Sequence, residues 1–302
     1  MYWHRDDRRA SLYTRLYVAG MRLRRDKQAF EGAEQTRRTA LQRQRGGDAP
    51  PTLLTRLRFR ITSTTQGGMT VWRVRPRRRR PAVRVVYVHG GGYVHPLTPD
   101  YWRLVRSLAK APAEVVVPAY PLAPEHHVDE VLPALVDLAE PSGTDVPTVL
   151  MGDSAGGALV LAIAMHLRDA GGPQPAGVVA LSPWLNPRLD EPEVEELEST
   201  DPMLAETGLR AAGQWWAGTR SPTDPDVDPL RGRLDGLPPT RVFIGDRDIL
   251  RPAVDELAGR AEGSDVALTV HEVTAMFHVW MTRAIPEGRR TRRRLQRLIA
   301  ST

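Results

Sequence analysis

Pro147-Thr148-Val149-Leu150-Met151-Gly152-Asp153-Ser154-Ala155-Gly156-Gly157 begins as an apolar run of strand length and leads into a helix-like run, Ala158 to Leu167. In that setting Gly-x-Ser-x-Gly reads as a nucleophile elbow, a strained turn that lifts the serine Oγ clear of a sheet. The neighbours of Ser154 must be small because the flanking backbones nearly touch. The following helix N-terminus favours negative charge developing beside it. Alone the pentapeptide is a weak signal, since a small-residue turn before a helix is also an ordinary N-cap.

A second motif strengthens the first. His89-Gly90-Gly91-Gly92-Tyr93 directly follows another apolar run, Val83 to Val88. Consecutive glycines at the end of a strand leave backbone N–H groups uncovered. Two such donors can converge on one oxygen, as an oxyanion hole requires, and each contributes roughly 3–4 kcal/mol to lowering the barrier. Gly91 and Gly92 are the expected donors, with the N–H of Ala155 as a third. A flexible loop with tight backbone demands would explain either motif singly. It does not explain both, in this order, each after a strand.

With these motifs the chain resembles the hormone-sensitive-lipase-like branch of the α/β-hydrolases, bacterial esterases and lipases carrying HGGG and GDSAGG. The resemblance spans about residues 56 to 285. It extends to Tyr120-Pro121-Leu122-Ala123-Pro124-Glu125, with proline where that branch usually has arginine, and to Asp228-Pro229-Leu230 and Gly236-Leu237-Pro238-Pro239-Thr240. Gly245-Asp246-Arg247-Asp248-Ile249-Leu250 resembles its acid segment, and Phe277-His278-Val279-Trp280 its histidine loop, with tryptophan in place of phenylalanine.

A serine hydroxyl needs an adjacent base, and the base needs a third group to fix its tautomer and stabilise its charge. In this fold the chain order is serine, acid, histidine. Only His271 and His278 follow the acidic cluster. His271 lies in the alternating run Val266 to Val273, a strand, so the loop residue His278 is the expected base. Asp246, Asp248, Asp255 and Glu256 are candidates for the acid. The last two fall on an expected helix, Pro252 to Ala261, and Asp246 fits a turn. The family resemblance implies Asp248. His4, His126, His127 and His166 read as surface residues, His89 as a support for the glycine loop, and Asp153 as a helix cap.

The wider pattern is α/β. Residues 1 to about 47 read as helical, with Leu12, Leu16, Ala19 and Leu23 on one face. Strands Leu57 to Thr62 and Met69 to Arg75 follow, joined by a turn-rich stretch. Strand and helix then alternate from Val83 to Leu181, which implies a mostly parallel sheet with helices on both faces. An insertion at about 185–225 interrupts the alternation, where the resembled family places its cap. The expected organisation is an N-terminal helical cap segment, 1–50, and a catalytic domain, 51–302. Tyr13, Tyr17, Tyr93, Met203, Leu204, Trp215 and Trp216 are candidates for an acyl pocket; packing of the cap onto the body is the competing role of each.

Composition narrows the class. The chain has 302 residues, no cysteine and a net charge of +6. No thiolate ligand set, zinc-type His/Glu motif or nucleotide loop is visible, so neither metal nor cofactor is expected. The arginine runs Arg77 to Arg80 and Arg289 to Arg294 carry no interleaved aromatics, which argues against specific nucleic-acid binding. No signal-peptide or membrane-spanning segment is legible, and cytoplasm is the expected compartment. A homodimer is an open option. The expected activity is hydrolysis of short- to medium-chain acyl esters of small molecules. Lactone or amide hydrolysis by the same triad is an alternative, and a non-catalytic ligand receptor a more distant one. No interfacial apolar segment stands out, which argues against long-chain triglyceride.

Overall fold

The computed structural model describes residues 1–141 and 146–302. Its centre is a nine-stranded sheet with the order β1-β9-β8-β7-β6-β4-β5-β3-β2. The inner strands are Val83–Val88 (β4), Ala113–Ala119 (β5), Thr148–Asp153 (β6), Gly177–Leu181 (β7), Thr240–Gly245 (β8) and Leu268–Val273 (β9), and these pair in parallel. Every residue of β4, β6 and β7 is buried. Such unbroken burial is the mark of strands covered on both faces, and it explains their near-continuous apolar sequence. Phe59–Gln66 (β2) and Met69–Pro76 (β3) form an antiparallel hairpin that continues the sheet against β5.

The chain start differs from the sequence expectation. Tyr2–Asp6 is a strand (β1) paired in parallel with β9, and helix begins only at Leu12. The pentapeptide carries no apolar alternation because it lies on an edge and only Trp3 and Asp6 are even half-buried. It is held through the backbone and through Trp3 Nε1, which donates to Glu272 at 2.9 Å. A short charged edge strand is also a usual device against sheet-to-sheet association. Leu53–Arg58 forms a helical turn (α3), so β2 starts two residues later than its apolar pattern suggests.

Helices Tyr101–Leu108 (α4), Val128–Ala139 (α5), Ala155–Asp169 (α6), Arg251–Glu262 (α9) and Pro286–Ala300 (α10) cover the sheet. Leu12–Leu23 (α1) is followed by a 3-10 turn, Asp26–Phe30, and by Ala33–Arg45 (α2). The insertion contributes Val194–Thr200 (α7) and Glu206–Ala217 (α8). α8 packs on α2 and on the 3-10 turn so closely that a Cβ on Gly208 would lie 2.1 Å from the Phe30 carbonyl oxygen. α1 behaves otherwise: it buries Thr14 and Met21, and its stripe of Leu12, Leu16, Ala19 and Leu23 faces solvent.

Candidate active site

Ser154 joins β6 to α6 with φ 54° and ψ −123°, a conformation that L-residues rarely adopt. Its N–H donates to the Leu181 carbonyl, and its own carbonyl accepts from Trp184 N–H, both at 2.9 Å. The turn closes only because its neighbours lack side chains. A Cβ on Gly152 would lie 2.1 Å from the Gly156 oxygen, and one on Gly156 would lie 2.1 Å from the Val88 oxygen. Glycine is therefore required at both positions to bring the elbow against the end of β4.

The glycine loop after β4 is tied to the same elbow. Gly90 N–H donates to Asp153 Oδ1 at 3.1 Å, and the buried Tyr87 hydroxyl donates to the same oxygen. Asp153 thus does not cap α6, as its position suggested; it anchors the glycine loop to the end of β6. Burial raises its pKa to about 6, although these donors work to lower it. Gly91 and Gly92 follow with φ of 103° and 63°. Their N–H groups donate to no acceptor among the described residues, and both glycines line the cavity that Ser154 faces. Ala155 opens α6 directly behind the serine. His89 supports the loop: its Nδ1 lies 2.7 Å from the Gly90 oxygen and its ring stacks on Tyr120.

His278 lies on the loop after β9, on the same cavity. Its Nδ1 is 3.0 Å from Asp248 Oδ2 and 3.2 Å from Oδ1. The neighbouring Val279 N–H donates to Ser182 Oγ at 3.1 Å, fixing the histidine loop to the end of β7. Burial lowers the His278 pKa, but the Asp248 carboxylate, its hydrogen bond, and then Asp201 and Asp153 outweigh it, leaving the pKa raised. No hydrogen bond joins His278 to Ser154 Oγ among the described contacts; such bonds often tighten only with substrate in place. Asp246 accepts from Ala275 N–H at 2.6 Å, so it shapes the histidine loop instead of orienting the ring. Asp255 and Glu256 pair with Arg251 and Arg231. His271 is on the face of β9, stacked on His4. His126, His127 and His166 do have partners: Glu130, the Trp215 carbonyl and Asp226.

Two residues escaped the sequence reading. Asp201 is buried, and its carboxylate accepts from Met203 and Leu204 N–H at 2.7 and 3.0 Å and from Ile249 N–H at 3.2 Å. It thereby ties the insertion to the residue after Asp248. Burial, then the nearby Asp248 charge, raises its pKa to about 6. Nothing in its local sequence separates it from the acidic residues Asp190 to Glu198 just before it. His95 lines the cavity with both ring nitrogens buried and unpartnered, and burial, then Arg43, pushes its pKa down to about 3.

The cavity has a volume of about 690 Å³. Phe30, Leu97, Met203, Leu204 and Leu209 supply apolar wall, while Arg43, Asp48, Asp100 and Arg283 interrupt it with charge. Of the pocket candidates only Met203 and Leu204 line it. Tyr93 and Trp216 are buried and stacked on each other at 4.5 Å, joining α8 of the insertion to the glycine loop after β4. Trp215 packs against the core, Tyr17 stacks on Phe277, and Tyr13 is 55% exposed. Of these aromatic residues Tyr17, Tyr93, Trp215 and Trp216 pack against neighbouring parts of the fold, and Tyr13 faces solvent.

Among the described residues no cluster of three or more His, Asp or Glu side chains is arranged to hold a metal ion. No helix among them is long and apolar enough to cross a membrane.

Residues 85–282 match a family model described as alpha/beta hydrolase fold. The chain is 31% identical to an acetyl-hydrolase of Streptomyces hygroscopicus, over 75% of this chain and 78% of the relative. It is 35% identical to a triacylglycerol lipase of Mycobacterium tuberculosis over 68% of this chain, which spans only 43% of that longer relative. Among solved structures, an esterase from the bacterial hormone-sensitive lipase family superposes with a TM-score of 0.81 at 26% identity, covering 97% of this chain and 99% of the other.

Proposed function

The chain belongs to the alpha/beta-hydrolase family, in its hormone-sensitive-lipase-like branch, and on that premise we propose that it is a serine carboxylic-ester hydrolase. The observation that carries this reading is the meeting, on one cavity, of the strained Ser154 elbow and the buried His278–Asp248 pair. In the proposed cycle Ser154 Oγ attacks the ester carbonyl while His278 takes its proton. Asp248 holds the ring so that Nδ1–H points at the carboxylate and Nε2 is left to act as base. The carbonyl oxygen, now negative, is received by the N–H groups of Gly91, Gly92 and Ala155. His278 returns the proton to the departing alkoxide, leaving an acyl-serine. Water, activated by the same ring, then releases the acid.

The substrate class we infer is a short- to medium-chain acyl ester. A mixed wall of Leu204, Leu209 and Phe30 with Arg43, Asp48 and Asp100 supports this, because charged groups oppose a long alkyl chain. In this reading residues 1–50 and the insertion at 185–225 act as the cap, to which Phe30, Arg43, Met203 and Leu204 supply the wall facing Ser154.

The test is hydrolysis of a p-nitrophenyl ester series by the wild type and by Ser154→Ala. Turnover falling by about 10⁶ in the variant, with activity declining beyond medium chain length, is the expected result. Equal rates in the two folded proteins would refute the reading.

A further inference from the structure

The outward face of α1 has no partner among the described residues. Leu12, Leu16 and Leu23 are 69%, 64% and 87% exposed. With Ala19 they form one straight stripe, directly opposite the buried Thr14 and Met21 and about 17 Å long. A stripe of leucines held in water on a well-formed helix marks an interaction surface.

Beside that stripe is a second groove of about 690 Å³, between α1 and the loops that follow β8 and β9. Arg9, Arg15, Arg22 and Arg247 line it, with Val18 and Ala275 between them, and among the described residues no carboxylate does. None of these four guanidiniums has a carboxylate within 4.0 Å among the described ion pairs; Arg22 donates to the Thr200 carbonyl. Asp7 and Asp246 pair with Arg5, and Glu287 is engaged by the hydroxyl of the lining residue Thr14. Guanidinium stays charged at any ordinary pH and offers forked donors that match phosphate oxygens.

We propose that α1 and this arginine groove dock the protein on an anionic phospholipid surface, the groove taking headgroup phosphates and the leucine stripe entering the acyl boundary. An apolar stripe flanked by arginine is the pattern of a helix lying in a membrane interface. Charge selects the occupant. A second copy meeting this face in a two-fold dimer would set like-charged arginines against each other. A nucleic acid would use the arginines and leave the leucines in water. A lipid surface satisfies both. The docking is independent of the chemistry proposed for Ser154.

The test is co-sedimentation of the full chain with vesicles of phosphatidylcholine containing about 30% phosphatidylglycerol, against phosphatidylcholine alone. At least about tenfold more binding to the anionic vesicles is expected, falling as salt is raised. Leu16→Asp/Leu23→Asp and Arg9→Glu/Arg15→Glu should each abolish most of that binding, with unchanged melting curves showing that both variants fold. Equal binding to the two vesicle types, or binding that survives both double substitutions, would overturn the proposal. So would a wild-type dimer that the leucine variant splits without any effect on vesicles, or salt-sensitive binding to duplex DNA with none to vesicles.

Discussion

His278 is pulled in two directions, and the balance sets how the enzyme should respond to pH. Burial favours the neutral ring; Asp248, its hydrogen bond and the neighbouring Asp201 favour the charged ring and prevail. A general base must be neutral to act. A raised pKa therefore moves the acid limb of kcat/KM upward, to a midpoint above about 6.5, and activity falls as pH drops through it. Asp248→Asn should lower kcat by about 10⁴ and move the limb to lower pH, because the charge that raised the pKa is gone. Asp201→Asn should also move the limb down but cost far less in kcat, since Asp201 does not touch the ring; a limb that stays put would show that its charge is not felt at His278. Gly156→Ala should be destabilised by more than about 3 kcal/mol in urea unfolding, because its Cβ would meet the Val88 oxygen at 2.1 Å. The elbow and the glycine loop were legible in sequence because their backbone geometry admits so few residue types. Asp201 and His95 were not. Each is an ordinary residue given its position by the tertiary fold, and nothing local in its sequence marks it.

At the scale of elements, α1 is fastened by one buried carboxylate. Glu287, at the start of α10, accepts from Ser11 N–H at 2.8 Å, from Ser11 Oγ at 3.2 Å and from the Thr14 hydroxyl. Burial raises its pKa, but these donors outweigh that and hold it below 4.5. A depressed carboxylate pKa gives stability that is present above the unfolded value and lost as pH falls through the folded one. Glu287→Ala should cost roughly 2–4 kcal/mol and loosen α1, read as faster tryptic cleavage at its arginines. Unchanged cleavage would mean that α1 is held by other contacts. The alternating strands and helices of the centre were legible because burial on both faces forces long apolar runs. β1 was not, because an edge strand held by backbone pairing needs no apolar pattern. α1 was recognisable as an amphipathic helix, but its periodicity says only that one face is apolar and leaves open whether that face meets protein or solvent.

For the molecule as a whole, the sheet places the groups proposed to react and the added layers shape their surroundings. Parallel strands end at one edge, so the loops after β4, β6, β8 and β9 bring Gly91, Ser154, Asp248 and His278 together although 187 residues separate the first from the last (278 − 91). The sequence left both roles open for the aromatic residues of the insertion because lining a pocket and gluing two layers demand the same residue types. Only the three-dimensional contacts separate Leu204, on the cavity, from Trp216, beneath it. β1 closes the opposite edge of the sheet from the β2–β3 hairpin. Removing residues 1–6 should lower the melting temperature and give concentration-dependent association through the bared β9, seen by size exclusion. A monomer of unchanged stability would contradict that role. The central claim is that Ser154 becomes acylated with His278 as its base. Intact-mass and peptide spectrometry after treatment with diethyl p-nitrophenyl phosphate, which leaves a stable adduct on an activated serine, tests it most directly. The account predicts a single adduct on the peptide containing Ser154, formed far more slowly in His278→Ala; no adduct, or one on another residue, would contradict it.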